Sequence, residues 1–391
     1  MTEALVTPQL LKWARERRHF SVHTAANKVN VEPHKLDAWE KGQERPTLRQ
    51  AQSLAQTLNV PFGYLFLSIP PIEKLPLPDF RTVTGTPSST PSPEFADVLN
   101  DALRKQEWYH DYQKSEGAHP IAFIGRFTRK DNAEMVAADI RKALRVNDDM
   151  RRHSQNWEQF LSEFVRRVEN AGVLVLRSGI VGTNTYRKLD VQEFRGFAIS
   201  DNLSPLIFIN AQDAKAAQIF TLAHELAHLW IGESGISNPD YTKRSSQQQH
   251  LLDRFCDQIA AETLVPNQDF LSRWQDKRPL EDNLQILATL YKVSEFVVLR
   301  RAYDNDKVSH SEYEARFQKL LDRGRRKLKD GGGDFYRALL VRNSNTLTLT
   351  LLSAVSEGRL SHRDAAQLLS VKLKTLIQVQ KNILGTAFAN A

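Results

Sequence analysis

The stretch Phe220-Thr221-Leu222-Ala223-His224-Glu225-Leu226-Ala227-His228 decides how this chain is read. His224 and His228 are four residues apart, a spacing that brings both imidazoles out on one face of an α-helix. Two imidazole nitrogens so placed can share one tetrahedral zinc ion, each about 2.0–2.1 Å from it. Glu225 points to the side of that face, where its carboxylate can take a proton from a water activated by the metal. Phe220, Leu222, Ala223, Leu226, Leu229 and Trp230 surround these residues with apolar side chains, as a buried helix requires. Chance weighs little: the chain's own His and Glu frequencies give about 0.02 expected His-Glu-x-x-His matches in 391 residues. The competing reading is a helix with two satisfied core histidines. The apolar flanks and the strand pattern before the helix weigh against it.

A catalytic zinc takes three protein ligands and keeps a fourth position open. The next helical segment offers Asp253-Arg254-Phe255-Cys256-Asp257. Asp253 and Asp257 share a face, so one can bind metal while the other holds a histidine N–H from behind. Cys256 lies on roughly the same face and can ligate zinc, although a lone helical cysteine more often packs in a core. Glu262 lies two turns further on. His250 lies one turn earlier and could ligate or steady an oxyanion.

Outward from this centre, 172–176, 194–200 and 206–210 read as short buried strands. Helical periodicity covers 95–112, 133–144, 157–170, 211–231, 247–264, 280–291, 294–303 and 309–329. Gly331-Gly332-Gly333 breaks the pattern, and the tail is helical again, with Ser361 as a cap. Nearer the start, 8–67 reads as a bundle of four short helices. Pro8 opens the first, Ser21 or Thr24 caps the second, the third spans 33–40, and Thr47 caps the fourth. Seven prolines between Pro70 and Pro93 mark an extended connector, with Asp79-Phe80-Arg81 as a docking exception. The expected layout is therefore 1–69, a linker 70–94, a central domain 95–305 with its core at 170–270, and a helical region 306–391.

A chain of 391 residues holds two to four domains. It has no apolar stretch long enough to span a bilayer, and the segment after Met1 is no signal peptide, so no membrane role is expected. A single cysteine excludes an internal disulfide framework and fits a reducing, cytoplasmic setting. The net charge of +7 is compatible with nucleic acid or an acidic partner and diagnostic of neither. Arg323, Arg325, Arg326, Lys327 and Lys329 form a basic run that is more often a solvated face than a phosphate site. Residues 361–376 hint at a second small helix-turn-helix.

The central segments resemble the ImmA/IrrE metallopeptidases. The resemblance rests on Gly196-Phe197-Ala198-Ile199, Pro205-Leu206-Ile207-Phe208-Ile209-Asn210, the stretch from Phe220 to His228, and Phe255-Cys256-Asp257-Gln258-Ile259-Ala260-Ala261-Glu262-Thr263-Leu264-Val265-Pro266. It implies zinc held by His224, His228 and an acidic third ligand, by position Asp253, with Glu225 catalytic. Two departures stand out: the family usually has Glu at 253 and Asn at 257, and Asp is one methylene shorter.

The N-terminal segment resembles the Xre/Cro helix-turn-helix, on Ala25-Ala26, Val29-Asn30-Val31, Leu36, Trp39-Glu40-Lys41-Gly42, Pro46-Thr47 and Leu54-Ala55. That fold would set 33–40 in a major groove, with His34, Lys35, Lys41, Arg45 and Arg49 as contacts. Glu32, Pro33 and Val22 fit base or phosphate contact poorly, so contact with a protein partner or a second copy is the rival use. Longer members of the peptidase family look like this whole chain, including Leu77-Pro78-Asp79-Phe80-Arg81-Thr82, and are associated with cleaving a DNA-binding repressor or with toxin–antitoxin loci.

The expectation is a mainly α protein with a small α+β zincin-like domain. It would act as a regulatory zinc endopeptidase on a repressor or toxin, with 194–200 or 206–210 holding substrate by edge pairing. The alternative is a non-catalytic DNA-binding antitoxin or regulator that uses the metal domain to bind its partner.

Overall fold

The computed structural model describes residues 2–18, 20–71, 91–237, 251–324 and 335–389. Contacts divide it into two units, with the boundary between Leu99 and Asn100. The first holds α1 (Pro8–Arg17), α2 (Val22–Lys28), α3 (Pro33–Glu40), α4 (Leu48–Leu58), a 3-10 turn (Phe62–Phe66) and the start of α5 (Pro93–Ser115). Its core is Leu11, Ala14, Ala26, Leu36, Trp39, Leu54 and neighbours, the apolar positions that the helical spacing marks. Thr47 and Gln50 form a reciprocal capping box at the start of α4. Asn30 and Asn59 take the left-handed conformation that ends α2 and α4. The Arg15 guanidinium donates to both oxygens of Glu40, at 2.7 and 2.8 Å, and ties α1 to α3.

The second unit continues with α6 (Ala133–Leu144), α7 (Asp148–His153) and α8 (Trp157–Asn170). Strands β1 (Leu174–Ser178), β2 (Ile180–Val181), β3 (Asn184–Lys188), β4 (Gly196–Ile199) and β5 (Leu206–Asn210) lead into α9 (Lys215–Ile231). After β6 (Gly235–Ser237) come α10 (Leu251–Leu264), α11 (Asn267–Arg273), α12 (Leu280–Tyr291), α13 (Glu295–Asp304) and α14 (His310–Gly324). The C-terminal helices are α15 (Phe335–Asn343), α16 (Asn345–Ser356), α17 (His362–Leu368) and α18 (Leu373–Ala389). The fold is mainly α with a small mixed sheet, as the sequence pattern implies.

The larger sheet runs β1-β5-β4-β6, parallel between β1 and β5 and antiparallel elsewhere. This corrects the expectation of edge pairing by 194–200 or 206–210. β4 is hydrogen-bonded to β5 and β6, and β5 to β1 and β4, so neither has an open edge. Their runs, apolar but for Asn210 at the end of β5, are those of interior strands, buried on both faces.

α9 lies against β4 and β5 and is flanked by α6, α8 and α10. Every residue from 217 to 231 is buried, so the helix is apolar all round rather than amphipathic. It starts at Lys215, later than the apolar pattern suggests. Asn210 turns the chain first, its side chain accepting from the Gln212 N–H at 3.1 Å. At the other end, the N–H groups of Gly125 and Phe127 bond the carbonyls of Leu229 and Trp230, both at 3.0 Å. Phe123 stacks on Trp230 with ring centroids 4.0 Å apart, and the indole N–H reaches Asp139 at 2.9 Å. A Cβ on Gly232 would fall 2.9 Å from the Cα of Gly125, so the loop and the helix end meet backbone to backbone.

The connector with Asp79-Phe80-Arg81, His250, the basic residues from Arg325 to Lys329 and the three consecutive glycines lie outside the described residues. Among the described residues no helix is long and apolar enough to cross a membrane.

Candidate metal centre

α9 presents His224 and His228 toward α10, their Nε2 atoms 3.2 Å apart. α10 brings Asp253 to the same point. Its Oδ1 lies 3.8 Å from His224 Nε2 and 3.6 Å from His228 Nε2. Among the described residues these three side chains form the one His/Cys/Asp/Glu group close enough to hold an ion. The triangle suits zinc: two ligands about 2.05 Å from a tetrahedral ion lie about 3.3 Å from each other. Asp253 is only 5% exposed, and its Oδ1 is buried without a hydrogen-bond partner. A buried carboxylate oxygen left in that state is costly, and a cation between it and the two imidazoles removes the cost.

Asp257, one turn after Asp253, takes the opposite nitrogen. His224 Nδ1 donates to its Oδ1 at 2.8 Å. Because a carboxylate only accepts, this bond places a proton on Nδ1, so that in the neutral imidazole it is Nε2 whose lone pair faces Asp253 and His228. Burial disfavours the imidazolium of His224. The Asp257 hydrogen bond and the charges of Asp257, Glu225 and Asp253 outweigh it and raise the pKa to about 9. In His228 burial dominates and the pKa falls, with Asp253 opposing and the charge of His224 assisting. Two adjacent histidines thus differ because one has a carboxylate behind it.

Glu225 is fully buried beside this group. A Cβ on Gly196 would stand 2.7 Å from Glu225 Oε1, 2.7 Å from Thr221 Cγ2 and 3.0 Å from the Phe208 carbonyl oxygen. Strand β4 therefore passes the Glu225 carboxylate at a point where only glycine fits. The sequence reading missed this role of Gly196. The available signal was a glycine at the head of an apolar strand, which marks close approach of another group.

The other candidates lie elsewhere. Cys256 is in the main hydrophobic core, where burial, aided by the charges of Asp253 and Asp257, pushes its thiol pKa up. Glu262 accepts from the Asn267 N–H at 3.0 Å and from Arg301 at 2.8 Å, joining α10 to α11 and α13. In the first unit His34, Lys35, Lys41, Arg45 and Arg49 are all exposed, and Lys41 pairs with Asp37 at 2.6 Å.

Residues 168–303, which contain every residue of the cluster, match the family model of the IrrE N-terminal-like domain, a peptidase M78 family. No curated protein matches the chain.

Proposed function

We propose that the chain is a regulatory zinc-dependent endopeptidase joined to an N-terminal helix-turn-helix, and that it acts on a repressor or toxin partner. One observation carries the peptidase reading. His224, His228 and the unpartnered oxygen of Asp253 converge beside Glu225, inside a segment that matches a metallopeptidase family. Zinc held by His224, His228 and Asp253 would supply Lewis acidity toward water and a scissile carbonyl. Asp257 holds His224 in the ligating tautomer. Glu225 accepts the proton of the attacking water and delivers it to the leaving amine. β4 at Gly196 keeps the carboxylate on the side of the helix where that transfer occurs. The exposed His34, Lys35, Lys41 and Arg45 support DNA contact by the N-terminal unit.

The burial of the cluster favours a second reading. His224, Glu225 and His228 have no exposed surface, which suits a closed metal site in a non-catalytic regulator. Glu225→Gln separates the two. In an enzyme it keeps zinc and fold but loses proteolysis by about 10²–10⁴-fold, scored by co-expression with the neighbouring gene product. Undiminished cleavage in the mutant rejects the mechanism. Full regulation without cleavage, in wild type and mutant alike, supports the second reading.

A further inference from the structure

A cleft of about 250 Å³ opens between α8, β1, α15 and α16, away from the metal cluster. Its walls carry three arginines, Arg166, Arg177 and Arg337, against one carboxylate, Glu169. Two of these four groups are already committed. Arg166 is gripped by both oxygens of Glu163, each at 2.8 Å. Glu169 Oε1 accepts from the Ser344 hydroxyl and from the Asn345 N–H at the head of α16.

The side chains of Arg177 and Arg337 make no hydrogen bond or ion pair with any described residue. Arg177 projects from β1 between the buried residues Leu176 and Ser178. Burial lowers its pKa, and the charge of Glu169 offsets part of that. Lys215, at the start of α9, is likewise depressed by burial and then by the charge of Arg177. Of the arginines on this wall, Arg177 is the half-buried one, and Arg166 and Arg337 are exposed at the rim. The rest of the wall is apolar, with Val175 and Leu340 facing the same space.

We propose that this cleft binds a small organic acid, its carboxylate on Arg177 and Arg337 and its compact apolar body against Val175 and Leu340. Planar guanidinium groups suit a carboxylate, and the volume suits a body of one ring or a short branched chain. β1 belongs to the sheet under α9, while α15 and α16 belong to the C-terminal helices. The acid would bridge these two parts of the second unit. Neither zinc nor peptidase activity is needed for that binding.

The test uses the full chain, with benzoate as probe and benzamide as its neutral counterpart. Binding is followed by thermal unfolding and by calorimetric titration. Benzoate is expected to raise the melting temperature saturably and benzamide to leave it unchanged. Arg177→Gln should weaken benzoate binding about tenfold or more, since it removes a charge-assisted contact, without lowering the melting temperature of the ligand-free protein. Arg337→Gln, on an exposed helix face that cannot disturb the core, should weaken it by a smaller factor. Equal responses to benzoate and benzamide overturn the proposal. So does an undiminished benzoate response in both variants, or stabilisation by inorganic phosphate but not by benzoate.

Discussion

Asp257 Oδ1 stands 2.8 Å from Nδ1 of His224, while Asp253 approaches the same imidazole at Nε2, 3.8 Å away. The ring is held between two carboxylates one helical turn apart on α10. Removing the Asp257 acceptor frees the tautomer and the ring orientation. Asp257→Ala is therefore expected to weaken zinc binding by about 10–100-fold, measured by competition with a chromogenic chelator. Asp257→Asn keeps an acceptor oxygen and should lose less. Equal affinity in wild type and Asp257→Ala would remove Asp257 from the site.

Asp253 and Glu262 separate metal binding from stability. Asp253→Ala should abolish stoichiometric zinc in elemental analysis and leave a folded chain, as His224→Ala should. Glu262→Ala should retain zinc and lose about 1–3 kcal/mol, because it leaves the largely buried Arg301, paired with it at 2.8 Å, only the Val265 carbonyl as acceptor. Zinc retained in Asp253→Ala and lost in Glu262→Ala would reverse the two roles.

Gly196→Ala tests the close passage of β4 over Glu225. The added methyl meets a carboxylate, a threonine methyl and a backbone carbonyl, and the carbonyl cannot swing aside. Overpacking of this kind costs about 1–3 kcal/mol, read as a drop in melting temperature. Any peptidase activity should fall further than stability does, because the displaced group is the proposed proton acceptor. An unchanged melting temperature and rate would show that the contact relaxes freely.

DNA binding by the N-terminal unit should be steeply salt-dependent if phosphate contacts carry it. In the full chain, Lys35→Ala with Lys41→Ala should weaken promoter binding at low salt and reduce the salt slope by up to about 2. Wild-type protein that binds no promoter fragment at low salt would instead assign the exposed face of α3 to a protein partner.

The helix that carries His224 and His228 is legible because two signals coincide, the i, i+4 histidines and an unbroken apolar run. The caps at Thr47 and Ser361 are legible for a local reason, since each bonds a backbone N–H three residues ahead. The division of labour between Asp253 and Asp257 was legible only through the family resemblance, which puts the third ligand at Asp253, and not through helix spacing. Both lie on one face of α10, and only the packing of α10 on α9 decides which meets Nε2 and which Nδ1. β2, β3, β6, α7 and α11 escaped for another reason. Elements of two to seven residues carry too few periods to stand out, and their partners in the fold specify them.

The loop that closes α9 has a consequence for what counts as a self-sufficient piece of this chain. The segment that matches the family model begins at residue 168, yet the groups that finish α9 precede it. Excision at that point removes the Gly125 and Phe127 N–H donors, the Phe123 ring over Trp230 and the Asp139 acceptor. It also strips α6 from α10, the helix that supplies Asp253. The Gly125–Gly232 contact fixes the phase of α9 as well. A slip of one residue, about 1.5 Å along the axis, would push a side chain into a space with no room for a Cβ. The folding unit here is therefore larger than the segment that matches the family model: the upstream loop and α6 complete the His-Glu-x-x-His helix of this chain.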